Sequence, residues 1–131
     1  AQADALGGTG TSGLQWPEPP SGAVRITVRV PAGRVREACD RLPSHWDYRA
    51  AHGVGEIRAA TDAADSAEIV ALREWAEACG GALVVAAAPE DLAAQVDPWG
   101  KAPPSLSLQR RVKAAFDPAG VMNPGRLPGG L

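Results

Sequence analysis

Few side chains in this sequence have the chemistry to act on a substrate, and their spacing does not gather them. His45 and His52 stand seven residues apart, with Trp46, Asp47 and Tyr48 between them. On an alternating strand an odd separation points two side chains to opposite faces, which argues against a shared metal ion. Cys39 and Cys79 are 40 residues apart and show no metal-type spacing. Each falls on the apolar stripe of a predicted helix, where a thiol behaves as a small buried hydrophobe in a reducing, cytoplasmic setting. The carboxylates are scattered over polar helix faces, and no Ser-His-Asp or Cys-His pattern marks an activated nucleophile. No catalytic residue and no metal ligand is assigned. His52 is of interest for another reason: it precedes Gly53-Val54-Gly55, and glycines let a backbone come close to a ligand. A hairpin turn is the competing reading of that run.

Composition narrows the classes further. Thirteen Lys and Arg against fifteen Asp and Glu give a formal charge of −2, so there is no basic footprint for nucleic acid. The single Phe and single Tyr form no basic aromatic cluster. No apolar run approaches the roughly 20 residues that span a bilayer. At 131 residues the chain suffices for one hydrophobic core. Residues 1–22 are rich in Gly, Ser, Thr and Pro and read as a linker from an upstream domain. Gly7-Gly8-Thr9-Gly10 resembles a phosphate loop only superficially, because no apolar strand precedes it and no periodic helix follows.

The elements that must position any site follow in order. Val24, Ile26, Val28 and Val30 alternate with Arg25, Thr27 and Arg29, the pattern of a half-buried strand. Val35, Ala38, Cys39 and Leu42 make one stripe of a helix that ends at Pro43. Trp46, Tyr48 and Ala50 alternate again, His52 to Gly55 turns, and Glu56 to Ala60 returns as a paired strand. Asp65 and Glu68 have capping-box spacing ahead of a helix with the stripe Ile69, Leu72, Ala76 and Cys79, closed by Gly80-Gly81. Ala82 to Ala88 is a short apolar run between Gly and Pro, a buried strand. The order β-α-β-β-α-β predicts an α+β, ferredoxin-like domain over residues 23–104, an antiparallel sheet with both helices on one face. Pro89 to Val96 can form a short helix, and Asp97-Pro98-Trp99-Gly100 a turn.

Residues 105–131 form a C-terminal helix and a shaped tail. Ser105 can cap a helix whose stripe is Leu108, Val112, Ala115 and Phe116, with Arg110, Arg111 and Lys113 turned outward. Asp117-Pro118 stops the helix, and Ala119-Gly120 and Asn123-Pro124-Gly125 build two tight turns. A terminus with so much turn chemistry is expected to dock on another surface.

The run Lys113-Ala-Ala-Phe116-Asp117-Pro118-Ala-Gly120-Val-Met-Asn123-Pro124-Gly125-Arg126 resembles the C-terminal signature of FAD-linked oxidases of the vanillyl-alcohol-oxidase type. With its Gln109-Arg110-Arg111 lead-in it is most similar to the FAD-binding accessory (E) subunit of glycolate oxidase. The resemblance is firm over about residues 105–127 and extends as element order over 23–100. It implies a cap domain covering a flavin that an upstream domain holds, with the tail returning to that domain. Asn123 would then be a polar contact to FAD or to the domain interface, Arg126 a cation near it, and Phe116 an anchor into the core. It also implies 2-hydroxy-acid (glycolate) oxidation, a catalytic flavoprotein subunit and an iron–sulfur subunit as partners, and membrane association only through them. Catalytic relatives carry an H-x-G-D-G-N-x-H run for metal and substrate carboxylate. In His52-Gly53-Val54-Gly55-Glu56-Ile57-Arg58 one residue is missing, Glu56 replaces Asn and Arg58 replaces the second His, a departure that fits an accessory subunit. A stand-alone ligand-binding domain or a subunit-interaction module without flavin chemistry is the other reading of the residues.

Overall fold

A valine or isoleucine at every second position gives a strand one apolar face, and the sheet is built around such a strand. A computed structural model describes residues 18–131, so most of the predicted linker, Gly7 to Gly10 included, lies outside the described residues. Strand β1 (Val24–Arg29) is central in a four-stranded sheet of order β2-β3-β1-β4, with β2 at Asp47–Ala51, β3 at Glu56–Thr61 and β4 at Ala82–Ala87. All three pairings are antiparallel. Helix α1 (Val35–Asp40) connects β1 to β2, and α2 (Ser66–Ala78) connects β3 to β4. This is the expected α+β order and strand arrangement.

The register sorts the side chains by face. Val24, Ile26 and Val28 stand opposite Thr61, Ala59 and Ile57, and Leu83 pairs with Val28 from the other side. These strand residues form one cluster with Val35 and Ala38 of α1 and Ile69, Leu72 and Ala76 of α2. Both helices therefore cover the same face, and among the described residues no helix or strand covers the other face of the sheet.

Local chemistry explains the boundaries. Asp65 caps α2 by accepting the Ala67 N–H at 3.0 Å. Glu68 does not close the capping box; its carboxylate accepts from the Trp46 indole at 3.4 Å and lies 3.3 Å from His45 Nε2. At the other end Gly80, at φ 78°, reverses the chain while its N–H reaches Glu77 O and that of Gly81 reaches Ala76 O. That pair of bonds is the Schellman stop the Gly-Gly dipeptide predicts. Val30 falls just past β1, yet its N–H still donates to Gly55 O at 2.9 Å. Gly55 serves this contact: a Cβ there would sit 2.0 Å from Val30 O. Trp46 precedes β2 and is buried; α1 follows a 3-10 turn at Ala32–Arg34 and stops at Asp40, before Leu42 at the end of its stripe. Cys39 and Cys79 are free and partly buried.

A short helix α3 (Glu90–Ala93) follows β4 and packs Leu92, with Val96 just beyond it, into the core. The turn 97–100 is then fixed on α2. The buried Arg73 donates to Asp97 O at 2.6 Å, and the Asp97 carboxylate accepts from the Trp99 and Gly100 N–H groups at 2.7 and 2.9 Å.

Ile26 is held between β3 and β4 under both helices and is 2% exposed. Its replacement by alanine should cost about 2–5 kcal/mol, the usual range for a large aliphatic lost from a packed core. Urea denaturation followed by circular dichroism would show the loss as a lower midpoint at unchanged slope.

Candidate functional site

Helix α4 (Leu106–Phe116) leaves the sheet domain after the extended residues 101–104, and none of its residues is buried. Leu108, Val112 and Phe116 recur every four residues and so line one stripe. That stripe faces outward, and Phe116 is 82% exposed. The expected anchoring of Phe116 in the core is corrected here: the helix turns its apolar side away from its own domain. Ser105 does not cap the helix either; its hydroxyl accepts from the Gln109 side chain at 3.1 Å.

The tail folds back along α4 around one carboxylate. Asp117 is 8% exposed and ends the helix. Its Oδ1 accepts the Val121 N–H at 2.9 Å and its Oδ2 the Met122 N–H at 3.0 Å. Lys113 Nζ donates to Asp117 Oδ2 at 2.7 Å and to Met122 O at 2.8 Å. Lys113 is thus a clamp within the chain, not the outward cation its place among arginines suggests. The Lys113 ammonium, joined by the two backbone N–H groups, holds the Asp117 pKa below its ordinary value against the opposing effect of burial.

Beyond the clamp, Asn123 takes a left-handed backbone at φ 47°, and Arg126 N–H closes the following turn on Asn123 O at 3.2 Å. Asn123 borders an open groove of about 610 Å³ lined with Leu108, Val112, Phe116, Met122 and Leu127. Arg126 lies to the other side, beside a smaller cavity against β4 and α3. The Trp99 indole donates to Arg126 O at 3.0 Å and ties the tail to the turn on α2.

The open sheet face is a second surface with its own character. Arg25, Thr27 and Arg29 project from β1, Glu56 and Arg58 from β3, and Arg49 from β2. Glu56 is bridged by Arg58 at 2.8 Å and by Arg29 at 3.1 Å, and these guanidiniums hold its pKa low. Sequence reasoning did not single out this face, although the Arg25-Thr27-Arg29 alternation carried its signal. The residues weighed for chemistry are not brought together. His52 is exposed on the β2–β3 turn, and His45 pairs with Glu68 on the helix-bearing side. Among the described residues no three His, Cys, Asp or Glu side chains converge as metal ligands. No helix there is long and apolar enough to cross a membrane.

Residues 95–127 match the family model for FAD linked oxidases, C-terminal domain. The match supports an FAD-linked oxidase, a flavoprotein oxidoreductase, for the part of the chain that runs from the end of α3 through α4 and the Asp117 clamp. No curated protein and no solved structure matches the chain.

The clamp has a pH signature. Because the folded Asp117 pKa lies below the unfolded one, its contribution to tail order is complete above the ordinary aspartate value of about 3.9. It is lost as pH falls through the lower, folded value. Amide exchange at Val121 and Met122 should accelerate in that acid range while the β1 amides stay protected. Asp117→Asn should accelerate it at neutral pH.

Proposed function

We propose that this chain is the C-terminal cap portion of an FAD-binding subunit of a glycolate-oxidase-like 2-hydroxy-acid oxidoreductase. In this reading α4 and the tail seat on an upstream FAD-binding domain of the same protein. Electrons pass from the substrate through flavin to a partner subunit, with a catalytic flavoprotein subunit and an iron–sulfur subunit completing the complex. The observation that carries the reading is a coincidence of extent. The stretch matching the oxidase family includes the one helix among the described residues that presents a whole apolar stripe to solvent. A helix with an apolar face packs it against something.

The residues suit an edge contact with FAD, not a full cofactor site. The groove beside Asn123 is apolar, as a surface for a neighbouring domain should be, and the exposed Asn123 amide and Arg126 guanidinium are polar groups free to face a flavin edge. A bound FAD would supply the hydride acceptor for oxidation at the α-carbon of a 2-hydroxy acid. This chain's own residues would exclude water at that interface through Phe116, Val112 and Leu108. Asn123 would supply an amide and Arg126 a fixed positive charge, while Lys113 and Asp117 hold the turn that presents them. The complex would be cytoplasmic, meeting a membrane only through its partners.

The test is to purify the chain alone and fused behind an FAD-binding domain of this oxidase class, reading flavin absorbance and glycolate-dependent dye reduction. The chain alone should carry no flavin and the fusion should carry it near stoichiometrically. Phe116→Asp should release flavin from the fusion, and Asn123→Ala or Arg126→Gln should weaken its retention about tenfold, as expected for a hydrogen bond involving charge. Stoichiometric flavin in the isolated chain, or a fusion indifferent to Phe116→Asp, would sink the proposal.

A further inference from the structure

Successive residues of a β-strand aim their N–H and C=O groups to opposite sides, so the direction at one residue fixes it along the whole ladder. Val30 N–H donates to Gly55 O, one step past the register that sets Arg29 opposite Glu56. Ile57, Ala59 and Thr61 therefore bond towards β1. Glu56, Arg58 and Ala60 bond towards β2, where they meet Ala51, Arg49 and Asp47. The backbone groups of Tyr48 and Ala50 are left on the outer side of β2, and among the described residues nothing bonds them.

The opposite edge of the sheet is closed. There β4 breaks register with β1 between Arg25 and Ile26, and its Val85 N–H is taken by Pro98 O at 2.8 Å. A bulge and a covering turn are usual protections of an edge against further pairing. Strand β2 has neither: it pairs with β3 in unbroken register, contains no proline, and leaves Tyr48 50% exposed. Its two charges, Asp47 and Arg49, lie on one face of the strand with Tyr48 between them.

That arrangement is complementary to itself. When two copies of β2 run antiparallel about a twofold axis at Tyr48, Asp47 of each stands opposite Arg49 of the other. Moving the axis to Arg49 would oppose two guanidiniums, which is destabilising. Moving it to Ala50 would leave Arg49 opposite Ala51 and Asp47 opposite Gly53, with no charge matched. The backbone fits the same axis. The two Tyr48 residues would exchange N–H and C=O bonds, and Ala50 N–H would reach the second copy's Trp46 O; Trp46 N–H already donates to Pro43 O. The Asp47–Arg49 pairs then fall at positions without backbone bonds between them, where side chains stand closer. Arg49 also donates to the Glu18 carbonyl, and a guanidinium has N–H donors enough to serve that carbonyl and a carboxylate together.

We infer that the outer edge of β2 is a docking surface for a second copy of this chain, joined about Tyr48 into one continuous sheet with reciprocal Asp47–Arg49 pairs. Such an isologous contact closes on itself and stops at the dimer. It is short and its ion pairs are exposed, so association should be weak and should weaken further with salt. Strand β2 lies outside the stretch that matches the oxidase family and is a different element from the α4 groove, so the inference stands or falls separately from the reading above.

Sedimentation velocity of the 131-residue chain, in a concentration series reaching the millimolar range, tests it together with amide exchange by ¹H–¹⁵N NMR. A monomer–dimer equilibrium is expected, with the Tyr48 and Ala50 amides gaining protection as the dimer fills. Asp47→Arg and Arg49→Asp should each weaken dimerisation about tenfold, because two opposed pairs per dimer turn from attraction to repulsion. The double variant carrying both changes should return to near the parent's association, a rescue that a merely local disturbance of β2 would not give. Thermal melts of each variant keep lost association apart from lost fold. A chain that stays monomeric throughout overturns the inference, whether its Tyr48 and Ala50 amides exchange freely or are protected at every concentration by another segment of the same chain. Growth beyond the dimer overturns it too, as does a dimer indifferent to both single charge changes.

Discussion

The Asp117 carboxylate is the constraint on which the C-terminal architecture depends. It satisfies two backbone N–H groups that would otherwise be left open by the turn after α4, and it neutralises Lys113 within the same turn. A carboxylate in such company stays ionised and short-bonded, and charge-assisted bonds of this kind are roughly twice as strong as neutral ones. With the helix end and tail locked to each other, neither can rotate to bury Phe116 or Met122. The exposed apolar groove is therefore a rigid feature of the domain.

The sheet divides its labour by face in a similar way. On one side alternation, register and both helices converge on a single apolar cluster around β1. On the other side no described helix or strand covers the sheet, and arginines take the positions a second layer would have required to be apolar. A β-sheet needs only one packed face to be stable. The open face is consequently free to carry charge, and α4 leaves its own apolar stripe exposed.

Much of this was legible in the residues. Alternating valines located β1, Asp65 and Gly80-Gly81 bracketed α2, and the order of elements led to the antiparallel sheet. The errors share one cause. Periodicity reports that Phe116 belongs to an apolar stripe but not which body that stripe packs against, so an outward stripe and a core stripe read alike. Spacing likewise places Lys113 among cations; only the fold-back of Asp117 shows that its charge is used internally. The arginines of the open face were visible as the polar half of an alternating strand, but their convergence across β1, β2 and β3 depends on register, which is set by contacts distant in sequence.

The Trp99–Arg126 hydrogen bond has a mechanical consequence. It is the described polar contact between the tail and the turn on α2, whereas that turn is held by Arg73 and by two N–H groups on Asp97. Under a pull on the tail the single neutral bond, worth about 1 kcal/mol, yields before the several that anchor the turn. The domain thus has a built-in weak link: its terminal arm can swing free as one stiff piece while the sheet and its helices keep their shape.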